Sequence, residues 1–370
     1  MLKVATEWLR SGKAATLHGI ELTPMPHPAS ARSPLVIIRA QSASYFLKDA
    51  EDRSWILKKF VHGRSPEPSY IRAIRSLVPH EKGFESGVQR RVLTWQNVGR
   101  GFGGWELAEW IENTILMPRL SGLEWLHLVD SLREGTTSIG EETRTAVCKS
   151  LVQRVRTLEH AGVSHRDLST THVFIEPATW EVHFIDWDAL YHDSLCMPAN
   201  LHAGTSGYIA TFVQDDARST WCAQADRFAI AILCTELLLL RRGSQIFNEG
   251  SMFEQRDLSA RSGDTVEAAK AKLTGRYPRV GRLLTRAMRA RSFGECPSPE
   301  EWLATPPLCQ AINAPALRDQ MAFMGEFDRY VQQLQKGKAR ARRSLANSSA
   351  VRGKALVRQR SAPLMPEKAK

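Results

Sequence analysis

His165-Arg166-Asp167-Leu168-Ser169-Thr170-Thr171-His172-Val173-Phe174-Ile175 is the stretch on which the reading of this chain turns. A polar loop containing Asp167 runs into a short β-rich segment, His172–Ile175. A second such segment, Val182–Ile185, leads into Asp186-Trp187-Asp188. The pattern predicts two short strands, each bordered by a loop aspartate beside an apolar anchor. Asp167 has the chemistry to take a proton from an attacking hydroxyl, and Asp186 the chemistry to hold a hard cation on phosphate oxygens. Further on come Gly204-Thr205-Ser206-Gly207-Tyr208-Ile209-Ala210 and a helix opening at Asp226-Arg227-Phe228-Ala229.

Outward from this centre the chain changes character. Toward the N-terminus, Leu35–Arg39, Ser44–Leu47 and Trp55–Phe60 read as strands, the last two joined by the polar turn Lys48–Arg53. Helices are expected around Ser69–Val78 and Glu85–Trp95, then strand-like sequence at Trp105–Trp110 and Thr114–Leu120. Beyond Gly122 helices dominate: Leu123–Leu132, Glu142–Ala161, Asp226–Leu240, Thr265–Leu273 and Arg279–Arg289, with a last amphipathic one through Leu317, Met321, Met324, Phe327, Tyr330 and Leu334. The fold class is α+β, a β-rich part followed by a mainly helical one with a cleft between them. The division is 1–33 as an N-terminal extension, 34–120 as the β-rich lobe, 121–335 as the helical lobe and 336–370 as a tail.

The order of motifs resembles the protein-kinase-like superfamily. His165-Arg166-Asp167 is similar to its catalytic loop, Asp186-Trp187 to its metal-binding loop, Gly204–Tyr208 to its activation segment, and Asp226 to the helix-borne aspartate that supports the catalytic loop. The resemblance covers roughly residues 34–305 and implies a bilobal fold binding ATP with Mg²⁺. By that resemblance Lys58 grips the α- and β-phosphates, paired with Glu85 or with no glutamate at all, since Gln89 aligns as well. Asp167 is the catalytic base and Asp186 a metal ligand. The carbonyl of Pro118 and the N–H of Leu120 hold the adenine. Arg166 pairs with a phosphate on the activation segment, at Thr205 or Ser194. His165 packs the loop.

The departures carry information too. His172 replaces the metal-binding asparagine, and imidazole suits a softer ion such as Mn²⁺ better than Mg²⁺, so it is either a ligand or a loop brace. Ser169 replaces a lysine. Asp188 replaces a glycine, as a turn residue or an added ligand. Gly99–Gly104 spells G-x-G-x-x-G, yet it lies far after Lys58 and reads as a tight inter-strand turn. The phosphate-loop position, Arg39–Phe46, contains no glycine, leaving the N–H groups of Ala40, Ser42, Ala43 and Ser44 to face a phosphate. A buried glutamate–arginine pair common in the family is replaced at both ends, by Ala210-Thr211-Phe212 and by Cys296. Joint loss avoids stranding one buried charge, which costs about 3–5 kcal/mol.

Composition bounds the function. The 370 residues carry a net charge of +11, and residues 336–370 alone hold 11 Lys/Arg against Glu367. The remainder is nearly neutral, so the charge belongs to a basic tail, read as a solubilising terminus or as one that docks on an acidic partner or anionic lipid, and points to no specific nucleic-acid partner. No apolar run is long enough for a transmembrane segment, no signal peptide is evident, and a cytoplasmic location is expected. Six cysteines without C-x-x-C spacing predict reduced thiols and no structural metal. The function expected is protein serine/threonine phosphorylation. A small-molecule or lipopolysaccharide-sugar kinase is the alternative, since Ile185-Asp186-Trp187-Asp188 resembles aminoglycoside-type phosphotransferases and His172 resembles the sugar kinases. The third reading is a pseudokinase scaffold.

Overall fold

The computed structural model describes residues 2–27, 30–39, 41–61, 66–98, 104–213, 216–247, 250–260 and 263–310. The expected last helix, the basic tail, Ala40 and Gly99–Gly103 lie outside them.

The chain is mixed α+β, with a curled antiparallel sheet in its first third. Strands run in the order Ala15–Leu17, Ile20–Pro24, Ser42–Asp49, Ser54–Phe60, Ile115–Pro118 and Arg91–Val92, with Val36–Ile38 also on Ser42–Asp49. The curl follows from how that long strand is shared. Its Leu47–Asp49 end pairs with Ile20–Pro24, its Ala43–Tyr45 end with Val36–Ile38. Residues 15–24, set apart in sequence as an extension, thus contribute two strands to this sheet.

Two expectations fail here. Trp105–Trp110 is helical, within Gly104–Ile111. Its buried Leu107, Ala108 and Ile111 follow helical spacing while Trp105 is exposed, so a 3.6-residue period was mistaken for alternation. The helix expected at Glu85–Trp95 stops at Val88, and Arg91–Val92 turns into the sheet against Ile115–Leu116. Gly87 lies flat on Trp187, where a Cβ would stand 2.9 Å from the indole nitrogen, so the chain is pinned before it can propagate the helix.

Period two then explains the sheet's two faces. Along Ser54–Phe60, Trp55 and Leu57 enter an apolar core with Trp8, Leu22, Leu47 and Leu116, while Lys58 leaves on the opposite face. A larger core is organised by Glu141–His160 and by Arg227–Leu239, a helix apolar on all sides and buried along almost its whole length. A separate three-stranded sheet pairs Leu123–Glu124, Val173–Ile175 and Val182–Phe184. Among the described residues no helix is long and apolar enough to cross a membrane. All six cysteines are free thiols.

Candidate active site

The loop His165–His172 is held from below by one carboxylate. Asp226, at the start of the Arg227–Leu239 helix, accepts the backbone N–H groups of His165 (2.6 Å) and Arg166 (2.8 Å). Burial pushes its pKa up to about 7 despite those two donors. His165 is fully buried and bonds through Nε2 to the carbonyl of Ile185 at 2.7 Å, and burial lowers its pKa to about 4. It packs the loop, as expected.

The structure brings Lys58, Asp167, His172 and Asp186 together. Lys58 Nζ lies 2.5 Å from both Asp186 Oδ1 and Asp188 Oδ2. Burial alone would lower the lysine pKa, but the two carboxylates outweigh it and raise it. Asp186 is pushed up by burial and pulled well below its usual range by Lys58 and His172. His172 Nδ1 meets the carbonyl of Asp167 at 2.6 Å, leaving Nε2 3.6 Å from Asp186 Oδ2. Asp167 accepts a hydrogen bond from the Thr205 hydroxyl at 2.7 Å, and a cleft opens beside it between Gly204, Thr205, Ile209 and Phe293. Asp186 sits at φ 64° and Arg166 at φ 68°, left-handed conformations that cost of order 1–3 kcal/mol and mark a constrained site.

Several expected roles change. Glu85 does not meet Lys58; it binds His183 Nδ1 at 3.0 Å and the N–H of Gly83 at 3.1 Å. Trp187 fixes this arrangement, its Nε1 donating to Ser86 Oγ at 2.9 Å while its ring meets Phe84 edge-on. Asp188, read as a turn residue or a ligand, binds Lys58 and Arg90, the latter at 2.7 Å and 2% exposed. Arg90 carried no signal in the sequence.

Arg166 is not available to a phosphate. Its guanidinium donates to the carbonyls of Thr220, Ala189 and His202 and to the Thr220 hydroxyl, and it stacks 5.0 Å from the Trp221 ring centre. It braces the segment after Asp186 through backbone groups. Ser169 is fully buried against Thr171. Ala43 and Ser44 are each paired with strands on both sides, so their N–H groups belong to the sheet rather than to a phosphate cradle. Pro118 and Leu120 lie where the large sheet's strand passes toward Leu123–Glu124, with Pro118 opposite Trp55. Phe212 packs edge-on against Phe293 at 4.8 Å, and Cys296 is fully buried.

The lone acid in the apolar helix anchors the Gly204–Ala210 segment. Glu236 accepts from the Tyr208 hydroxyl (3.1 Å), the Ser251 hydroxyl (2.8 Å) and the Met252 N–H (2.7 Å). Gln255 adds bonds to the Gly207 N–H and the Ile209 carbonyl. Burial pushes the Glu236 pKa up to about 8 from 4.5. The folded chain therefore keeps a proton that the unfolded chain releases above pH 4.5, so this contribution is full below that pH and is lost as pH rises through about 8. Asp226 acts in the same direction. Denaturant midpoints are expected to fall between pH 6 and 9, and Glu236→Gln to flatten the slope, by at most about 1.4 kcal/mol per pH unit. An unchanged slope in the variant would refute this assignment.

No protein-family model matches the chain, and no curated protein matches it.

Proposed function

We propose that this chain is an ATP-dependent phosphotransferase of bilobal, protein-kinase-like fold that transfers the γ-phosphoryl group to a serine or threonine hydroxyl of a protein. The observation that carries the reading is a hydroxyl, that of Thr205, already seated on Asp167 at 2.7 Å beside the Lys58–Asp186 pair. An acceptor hydroxyl taking that place would give its proton to Asp167 as its oxygen bonds to phosphorus and ADP departs. Lys58, buried on the sheet face opposite the Trp55–Leu57 core, would turn from Asp186 and Asp188 to the α- and β-phosphates. Pro118 and Leu120 would flank the adenine.

The residues present suit a divalent ion. Asp186 supplies a carboxylate, and the Nδ1 contact of His172 leaves its Nε2 directed at that same carboxylate, 3.6 Å away. Such an ion neutralises charge developing on the transferring phosphate. A nitrogen donor favours Mn²⁺ over Mg²⁺.

Thermal unfolding with ATP and either Mg²⁺ or Mn²⁺ tests binding: at a hundredfold excess over Kd the stabilisation should be about 2.7 kcal/mol. Incubation with γ-labelled ATP then reads the acceptor. Label on protein supports the proposal, whereas label transferred only to a glycan or small molecule would overturn it. A second reading, a scaffold without catalysis, draws on Lys58 being committed to two carboxylates and on the strand-bound N–H groups of Ala43 and Ser44. Absence of stabilisation with both metals would favour it.

A further inference from the structure

Away from the cleft, the turn between Val173–Ile175 and Val182–Phe184 brings Glu176, Glu181 and His183 together, each offering a ligand atom within 4.8 Å of the others. The histidine is already oriented. Its Nδ1 faces the Glu85 carboxylate at 3.0 Å, and two contacts from the Gly83 N–H hold that carboxylate in turn. A proton placed on Nδ1 toward Glu85 would leave the lone pair on Nε2. That atom is buried, has no hydrogen-bond partner, and looks toward Glu176 Oε2 at 3.9 Å. A buried nitrogen acceptor without a donor is costly in a purely structural cluster. A carboxylate behind the far ring nitrogen is the usual arrangement behind a metal-bound histidine.

We propose that Glu176, Glu181 and His183 bind a divalent transition ion of the zinc class, with Glu85 as the positioning residue. Two carboxylate oxygens and one imidazole nitrogen match the donor set of zinc sites that keep a further position for water. The present counter-ion is Lys82, which contacts Glu181 and lies 3.5 Å from Glu176. It is half exposed and long, so it can swing into solvent when the ion enters. Arg154, 3.9 Å from Glu181 Oε1, remains to balance the second carboxylate oxygen. The sequence shows no zinc signature because the donors come from a hairpin turn and are oriented by a residue nearly a hundred positions away.

The site has a mechanical consequence. Gly83 also accepts the Phe184 N–H at 2.9 Å, so an ion on His183 would tighten the link between the Glu85 turn and the strand leading to Asp186. Its effect on the cleft would be rigidity rather than chemistry.

The test is calorimetric titration of zinc chloride into the chelator-stripped full chain. One equivalent should bind to the wild type at this site, beside any ion taken up at Asp186 and His172. His183→Ala, and separately Glu176→Gln with Glu181→Gln, should weaken that uptake at least tenfold. Glu85→Gln, which keeps all three ligands, should weaken it about ten- to a hundredfold. Any ion held at Asp186 and His172 should be lost in Asp186→Asn while the equivalent that His183→Ala removes persists there, which separates this site from the cleft whether or not the chain is a kinase. Cobalt chloride gives a second readout, a visible absorption band present in the wild type and missing from the double glutamine variant, should His183→Ala fail to fold. No zinc uptake by the wild type, uptake undiminished in His183→Ala, or loss in Asp186→Asn of the same equivalent that His183→Ala removes would each overturn the proposal.

Discussion

Asp167→Ala is expected to abolish phosphoryl transfer to protein, with a loss of about 10²–10⁴-fold or more, while ATP still raises the unfolding temperature. The separation of the two readouts follows from geometry. Asp167 touches the Thr205 hydroxyl and lies on the side of the cleft lined by Gly204, Ile209 and Phe293, whereas Lys58 and Asp186 form the neighbouring charged pair. Removing the Asp167 carboxylate therefore takes away the proposed proton acceptor while leaving the Lys58–Asp186 pair proposed to hold nucleotide in place. Asp167→Asn keeps the side chain's shape and should be as inactive, since an amide cannot take the proton. Labelled-ATP transfer and thermal unfolding measure both halves. Retained transfer in either variant would remove Asp167 from the mechanism, and loss of nucleotide stabilisation would show that it holds the site together instead.

Asp188→Ala is expected to destabilise the chain by about 3–5 kcal/mol, because it leaves Arg90 buried without the carboxylate it faces at 2.7 Å. Lys58 keeps Asp186, so the larger share of the cost falls on the arginine. Arg90→Met combined with Asp188→Leu should recover most of that loss, since replacing both members of a buried pair by apolar groups of similar size is often neutral. Urea unfolding of the wild type, both single variants and the double variant gives the coupling directly. Single variants within 1 kcal/mol of the wild type would mean that the pair is solvated in solution and does not organise the site.

The elements legible in the sequence are those written in neighbouring residues. The β-rich run Trp55–Phe60 marks the strand, and the strand's two-residue period then puts Lys58 on the face opposite the core. The thirteen-residue apolar helix Arg227–Leu239 announces its own burial. Asp226 beneath the His165–His172 loop was likewise readable, because its helix-start position follows from the motif order. The Gly104–Ile111 helix was misread, since a short stretch rich in tryptophan satisfies both periodicities and only the packing of Leu107 and Ile111 decides between them.

The ion pairs of the site belong to the other category. Which carboxylate meets Lys58, 128 positions from Asp186 and 130 from Asp188, is decided by how the turn Glu85–Val88 seats on Trp187. That seating hands Glu85 to His183 and admits Arg90 to Asp188. Arg166, an apparent phosphate receptor by motif, is saturated by carbonyls that reach it only because the chain after Asp186 folds back over the loop.

By itself the sequence determined the mixed α+β character, the strand bearing Lys58, the two loop aspartates and the buried helix that begins after Asp226. Each is encoded by local periodicity and by turn residues a few positions apart. The tertiary structure alone decided the partners of every charge in the cleft. Charges act through space, and in a buried site the low dielectric makes the nearest opposite charge dominate whatever its distance along the chain.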